Sequence, residues 1–225
     1  FSTKELKFKK NKKVKLTIPH NGGCVIVEGK EWSGNPILPG FHADPEVLYS
    51  SKTGRYYIYT TTDGQPGWGG WYYTCFSSDN LVDWRYEGIN FDVRNQTSWA
   101  SGNAWAPAII EKTVNYEPKY FFYFSGDAGR QKGKAIGVAV ADKPTGPFKE
   151  LFNRPVFDPG YPIIDANILF DDASGKTYLY YSRCCYKHAV DSEVSTWAKE
   201  KGWFDEIEES WIYGVELKPD FSGII

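Results

Sequence analysis

The sequence has 225 residues, of which 41% are hydrophobic, enough to form one sizeable core. Its formal net charge of −2 excludes a general electrostatic attraction to nucleic acid or to anionic membranes. No apolar run approaches the ~18 residues that a membrane-spanning helix needs.

Aromatic residues and cysteines give the next constraints. Aromatic residues make up 17% of the chain; they favour β-strands, and their flat rings also stack on the apolar faces of sugars. The four cysteines show neither a zinc-binding spacing nor a disulfide framework, so we expect ordinary thiols. The chain contains no Met and starts at Phe1, which predicts a processed or cloned start.

Residues 1–33 differ in composition from the rest of the chain. Seven lysines fall between Lys4 and Lys15, and an alternating apolar and polar run follows at 14–18. The pattern predicts an N-terminal basic strand or arm whose lysines discourage edge-to-edge pairing. An arm that binds a polyanion is the alternative. Residues 34–225 are predicted to form the second, larger domain.

From Asn35 onward the chain repeats one plan three times. Each unit has a short entry, an apolar strand, a polar turn and a Tyr-rich or Phe-rich strand. The positions of Asp44 and Ala106 are 62 residues apart, and those of Ala106 and Asp165 are 59 apart. The paired strands are 43–48 with 56–59, 105–110 with 120–123, and 164–169 with 178–181.

A third strand is predicted in each unit, at 71–76, 135–141 and 211–217. In the first two units a polar turn and an aromatic residue follow, at 78–84 and 142–148. Units of four short strands at a constant period are typical of the blades of a β-propeller. The sequence therefore predicts an all-β fold, with one short inserted helix over 192–201.

Asp44 and Asp165 occupy the same position in the first and third units. The first strand of each propeller blade lines the central channel, so equivalent positions converge on one channel mouth. Two carboxyl groups there suit glycoside hydrolysis, which needs one ionised base and one protonated acid. The alternative for each residue alone is ordinary turn chemistry at a strand entry.

Three motifs resemble those of glycoside hydrolase family 43. Residues 35–45 (NPILPGFHADP) are similar to the opening motif of that family, residues 104–107 (AWAP) to its second-blade entry, and residues 164–172 (IDANILFDD) to its third-blade entry. The resemblance covers residues 35–182, with matching order and spacing. It implies a five-bladed β-propeller, of which residues 34–225 would supply blades 1–3.

The resemblance also implies roles for four residues. Asp44 matches the general base that activates water for inversion at the anomeric carbon, and Asp165 matches the residue that tunes the pKa of the general acid and positions it. Trp105 matches an aromatic residue beside the sugar, with packing between blades as its alternative. His42, beside Asp44, is expected to line the pocket, with a histidine packed in a wall or in the core as its alternative.

The general acid has no match in the sequence. The family pattern is a fourth-blade Glu in Glu-Gly-Pro, which occurs nowhere here, although Glu208, Glu209 and Glu216 lie near the end. We therefore expect the acid beyond Ile225, and the remaining blades from the rest of a longer chain or from a separate chain. The 225 residues alone are expected to be inactive.

The predicted substrate is an arabinose- or xylose-containing plant cell-wall polysaccharide or oligosaccharide, and the predicted location is secreted, periplasmic or cell-surface. A fructan hydrolase would be expected to show Asn-Asp-Pro-Asn-Gly and Arg-Asp-Pro motifs, which are absent. A non-catalytic glycan-binding propeller stays open as the alternative function. The scattered histidines predict no metal in the chemistry, although the resemblance admits a structural Ca²⁺ in the central channel.

Overall fold

A computed structural model describes residues 36–38, 40–129, 133–183, 196–197, 200–202 and 212–225. The chain divides after Ser33 into two compact units, and all described residues belong to the second. The predicted basic strand at 1–33 therefore lies outside the described residues, as do Cys24, Cys184 and Cys185.

The first sheet is an antiparallel meander of four strands. Its first turn runs from Ser50 to Gly54, where the Gly54 amide donates to the Ser50 carbonyl at 2.8 Å. Gly54 has a φ of 68°, a left-handed conformation that glycine adopts without steric cost. The strands, in spatial order, are β1 (His42–Ser50), β2 (Arg55–Thr62), β3 (Tyr72–Ser78) and β4 (Arg85–Asp92).

The second sheet repeats this plan after a short helix, α1 (Val93–Gln96). The side chain of Asp92 accepts hydrogen bonds from the amides of Arg94 and Asn95 and so caps the helix. The strands, again in spatial order, are β5 (Trp105–Val114), β6 (Glu117–Asp127), β7 (Lys134–Ala141) and β8 (Lys149–Glu150).

The third sheet has three described strands, β9 (Ile163–Asp171), β10 (Lys176–Arg183) and β11 (Ile212–Leu217). Glu216 pairs with Tyr178 in this sheet, and its carboxylate forms an ion pair with Lys176 at 2.8 Å. Glu216 is thus part of a strand ladder at the sheet surface. Glu208 and Glu209 lie outside the described residues.

Two aromatic cores join the three sheets. Tyr59, Tyr73 and Phe122 are among the buried residues between the first and second sheets, and Tyr123, Leu179 and Phe221 are among those between the second and third. Alternate residues of a strand point to opposite faces, so the second sheet contributes neighbouring residues to different cores. Many of the aromatic residues of the chain thus lie at these interfaces.

The innermost strand of each sheet lies beside that of the next. β1 contacts β5, and β5 contacts β9, while each of the three is the edge strand of its own sheet. We call β1, β5 and β9 the inner strands. Their adjacency brings equivalent positions of the repeat together, and this determines where a shared site can form.

The predicted all-β architecture is confirmed, and the predicted third strands match β3, β7 and β11 within two residues. The number of blades and the closure of a ring stay predictions. Of the short helix expected over 192–201, the described residues 196, 197 and 200 are helical. No described helix is both long enough and apolar enough to cross a membrane.

Candidate active site

Each inner strand carries a backbone irregularity at the same place in the repeat. Asp44, Ala106 and Asp165 have φ angles of 46°, 36° and 58°, all in the left-handed region. The strand register shifts beside Asp44 in β1 and beside Ala106 in β5, as at a β-bulge. Non-glycine residues seldom adopt this conformation, which persists only where the surrounding structure enforces it. The bulge re-aims the side chain out of the regular alternation of the strand.

Asp44 is held by a neighbour in its own sheet. The Thr61 hydroxyl donates to Oδ2 of Asp44 at 2.9 Å, and Thr61 is paired in the strand ladder with Ala43. The Asp44 side chain is exposed, so water can reach it. A carboxylate that is oriented on one oxygen and open to water has the features a general base needs.

Asp165 is attached to the second sheet through its backbone. Its amide donates to Oγ of Ser125 at 3.1 Å. Partial burial raises the pKa of the Asp165 carboxyl, and the nearby negative charge of Asp44 raises this pKa further. The two carboxylates of the first and third inner strands therefore interact electrostatically.

Tyr73 of β3 is fully buried and interacts electrostatically with both carboxylates. Its hydroxyl lies 2.9 Å from the carbonyl oxygen of Trp105 and 3.1 Å from that of Ser125. Burial raises the pKa of Tyr73 well above its usual range, and the charges of Asp44 and Asp165 add to the rise. Tyr73 therefore stays a neutral donor that supports the bulge of β5, a role for which the sequence offered no signal.

Trp105 begins β5 and is half-buried. The ammonium group of Lys134 lies 5.0 Å from the centre of the Trp105 ring, and it also donates to Oδ1 of Asn103 at 2.9 Å. Asp127 lies 3.6 Å from the same ammonium group. The structure thus places Trp105 immediately before the bulge, with a cation over its ring.

His42 begins β1 and is half-buried. Its Nδ1 lies 3.1 Å from the Thr60 hydroxyl, which in turn lies 2.7 Å from that of Thr74. The imidazole also makes an edge-to-face contact with Phe76, with the ring centres 5.1 Å apart. These contacts hold His42 against the wall of the first sheet, two residues before Asp44.

Glu46 is another carboxyl group on an inner strand, and the sequence did not single it out as a site residue. It is half-buried on β1, and burial raises the pKa of its carboxyl, although a hydrogen bond to the backbone of Ile109 opposes the rise. That bond ties β1 to β5. Glu46 therefore acts as a link between the first two inner strands.

A further question for the described residues is whether they offer the ligand set that a metal ion needs. No group of three or more His, Cys, Asp or Glu side chains among them is arranged to hold an ion. The structural Ca²⁺ that the resemblance admits stays a prediction.

Comparison with known proteins now identifies the family. The profile of glycosyl hydrolases family 43 matches residues 33–210, which is most of the chain. The chain belongs to glycosyl hydrolases family 43. The predicted resemblance is thereby confirmed, and the bulged inner strands with their two carboxylates lie inside the matched region.

Two curated relatives are named for different glycosidase activities. A β-D-galactofuranosidase of Aspergillus niger is 33% identical over 175 residues, covering 72% of this chain and 48% of its own length. An arabinoxylan arabinofuranohydrolase of Bacillus subtilis is 35% identical over 183 residues, covering 66% of this chain and 32% of its own length. The chain thus spans half or less of each of these relatives.

Solved structures agree with the family assignment. A thermostable family-43 glycoside hydrolase is 28% identical with a TM-score of 0.65, and the match covers 85% of this chain and 53% of that protein. The Bacillus subtilis arabinoxylan arabinofuranohydrolase in complex with cellotetraose is 25% identical with a TM-score of 0.62, covering 86% of this chain and 41% of that protein. The three sheets therefore correspond to about half of a family-43 structure.

Proposed function

We propose that the protein containing this sequence is an inverting glycoside hydrolase acting on arabinose- or xylose-containing plant polysaccharides or oligosaccharides. Its catalytic domain would be a five-bladed β-propeller, of which the three sheets described here are blades 1–3. The names of the relatives, an arabinoxylan arabinofuranohydrolase and a xylosidase/arabinosidase, support this substrate class.

One observation carries the proposal: the carboxylates of Asp44 and Asp165 sit at equivalent bulges of two inner strands and interact electrostatically. Two aspartates with a purely structural role at turns would accept hydrogen bonds from the backbone amides of those turns. Here the Asp44 carboxylate instead accepts from the Thr61 side chain and is open to solvent. An oriented carboxylate that water can reach suits a general base, and a second carboxylate nearby suits a residue that tunes the pKa of an acid.

In the proposed mechanism Asp44 takes a proton from a water molecule as that water attacks the anomeric carbon. A carboxylic acid on the opposite side gives its proton to the departing glycosidic oxygen, so the configuration inverts. We assign this acid to a Glu beyond Ile225. Asp165 acts as a positioning residue, because a negative charge beside the acid keeps the acid protonated at neutral pH.

Trp105 and His42 are proposed to form the wall of the sugar site. Trp105 is half-buried at the start of β5, immediately before the bulge, where its ring would contact the sugar. His42 lies two residues before Asp44 and is held to Thr60 through Nδ1, so its imidazole would lie beside the same sugar.

The test is turnover by the complete protein on 4-nitrophenyl α-L-arabinofuranoside, β-D-xyloside and β-D-galactofuranoside, and on arabinoxylan oligosaccharides. We expect hydrolysis of an arabinoside or xyloside with release of the inverted anomer, followed by ¹H NMR. Asp44→Asn should keep the fold and lower kcat by about 10²–10⁴-fold, the range typical of general-base loss.

Three results would contradict the proposal. Release of the retained anomer would overturn the mechanism, and normal turnover by Asp44→Asn would overturn the assignment of the base. Binding of arabinan or xylan fragments without any turnover would favour the alternative of a glycan-binding propeller. Preference for the galactofuranoside would replace the proposed sugar while leaving the roles of the carboxylates in place.

A further inference from the structure

Thr61 occupies a junction between the first two sheets. It is only 3% exposed. Its hydroxyl makes two hydrogen bonds of 2.9 Å, one with Oδ2 of Asp44 in its own sheet and one with the backbone amide of Ala106 in the next. Both partners are residues at the bulges of inner strands.

The direction of these hydrogen bonds is determined by chemistry. A backbone amide can only donate, so the Thr61 oxygen accepts from Ala106. The single hydroxyl proton is then available to Oδ2 of Asp44, and it suits the carboxylate form, which only accepts. The Ala106 amide thus orients the hydroxyl, and the hydroxyl proton is left to donate to Asp44.

The second sheet offers an internal comparison. Ser125 pairs with Trp105 as Thr61 pairs with Ala43, and its hydroxyl accepts from the amide of Asp165 in the third sheet. The link between neighbouring sheets is therefore repeated. The residue at the bulge of the second sheet is Ala106, which has no carboxylate, so donation to a bulge carboxylate is an added feature of Thr61.

We propose that Thr61 is a positioning residue for the general base: it fixes Oδ2 of Asp44, and leaves Oδ1 for the attacking water, while the amide of the next sheet holds the hydroxyl in place. This inference rests on the proposed function for the role of Asp44. The contacts of Thr61 do not depend on that role.

Other titratable groups surround Asp44. Asp165 of β9 and Tyr73 of β3 interact with it electrostatically. His42 and Glu46 flank it on β1, and Lys134 lies over Trp105 at the start of β5. A substitution at Thr61 leaves all of these groups unchanged, so a shift in the pH profile would report the lost hydroxyl.

The experiment compares Thr61→Val, which keeps the shape without the hydroxyl, with Thr61→Ser, which keeps the hydroxyl. Thr61→Val should move the acid limb of the kcat profile upward by about one pH unit and lower kcat by about tenfold, with KM little changed. Thr61→Ser should restore both. Thr177→Val, which removes another buried hydroxyl 3.5 Å from Lys112, should leave the acid limb in place.

A second measurement does not require turnover. The titration of the Asp44 carboxyl carbon, followed by ¹³C NMR, should move to higher pH in Thr61→Val and stay in place in Thr61→Ser. Thr61→Ala serves for both measurements if the valine variant does not fold. An unmoved titration together with an unmoved acid limb would overturn the inference.

The two proposals fail in different ways. An inactive wild-type protein, or an active Asp44→Asn, contradicts the proposed function but leaves the NMR titration to decide on Thr61. If the wild type is active and Asp44→Asn is inactive, the proposed function stands. If Thr61→Val then keeps the wild-type titration and acid limb, only the role of Thr61 is contradicted.

Discussion

The carboxylates of Asp44 and Asp165 interact across the site although they belong to the first and third sheets, and the charge of Asp44 contributes to the raised pKa of Asp165. The interaction arises because both residues occupy the left-handed bulge position of inner strands that lie on either side of β5. The charges of both residues also raise the pKa of the buried Tyr73. Removing the charge of Asp165 is therefore expected to change both turnover and the stability of the fold.

Asp165→Asn is expected to change the pH dependence of turnover. Removing its charge should shift the alkaline limb of the pH–rate profile to lower pH, because the general acid then loses its proton more easily. Natural glycans should lose more activity than aryl glycosides, whose leaving groups need little protonation. Rates on both substrate types across the pH range measure this. An unmoved alkaline limb with equal slowing of both substrates would make Asp165 purely structural.

Asp165→Asn is also expected to stabilise the fold at neutral pH. The pKa of Asp165 is raised in the folded protein, so the folded state binds this proton more tightly than the unfolded chain. Stability from this group is therefore present below the ordinary Asp value of about 3.9 and is lost as pH rises through the folded value. The variant should unfold at a higher denaturant concentration than wild type at pH 7, and the gain should disappear near pH 3. A loss of stability at pH 7 would contradict this sign.

Tyr73→Phe should lower the stability of the folded protein. The change removes a buried hydroxyl that lies within 3.1 Å of two backbone carbonyls, those of Trp105 and Ser125, and leaves these acceptors without that donor. A loss of about 1–3 kcal/mol in the free energy of unfolding is expected. Tyr57→Phe is the matched control, since its hydroxyl donates to the side chain of the turn residue Thr53 at 3.1 Å, and its loss should cost less. Equal losses of unfolding free energy in the two variants, measured by urea titration, would contradict this prediction.

Gly137→Ala should disrupt the aromatic packing of the second sheet. A Cβ at Gly137 would overlap the Phe124 ring and would lie 2.7 Å from Cζ2 of Trp99, which stacks on that ring. Overpacking of this kind typically costs about 1–3 kcal/mol. Gly102→Ala provides the control, because its nearest neighbour would be Nη2 of Arg94 at an ordinary 3.8 Å. Thermal unfolding of the two variants checks the difference, and equal melting temperatures would contradict it.

The sequence by itself determined the strands, their repeat and the pair of candidate carboxyl groups. Strand periodicity and turn residues are local properties, so the paired strands in the first two sheets and the first pair of the third were predictable from short segments. The common phase of Asp44 and Asp165 in the repeat indicated a shared site before any contact was known. The family motifs then suggested what each residue does.

Only the tertiary structure decided how that site is held together. Thr61 lies 45 residues from Ala106, and Tyr73 lies 52 from Ser125, so no local pattern links them. The left-handed φ of Ala106 is likewise unexpected for a residue with a Cβ. These features depend on which hydroxyl and amide groups of neighbouring sheets are buried together. Burial makes each such group require a partner, and the packed sheets alone determine which partner is within reach.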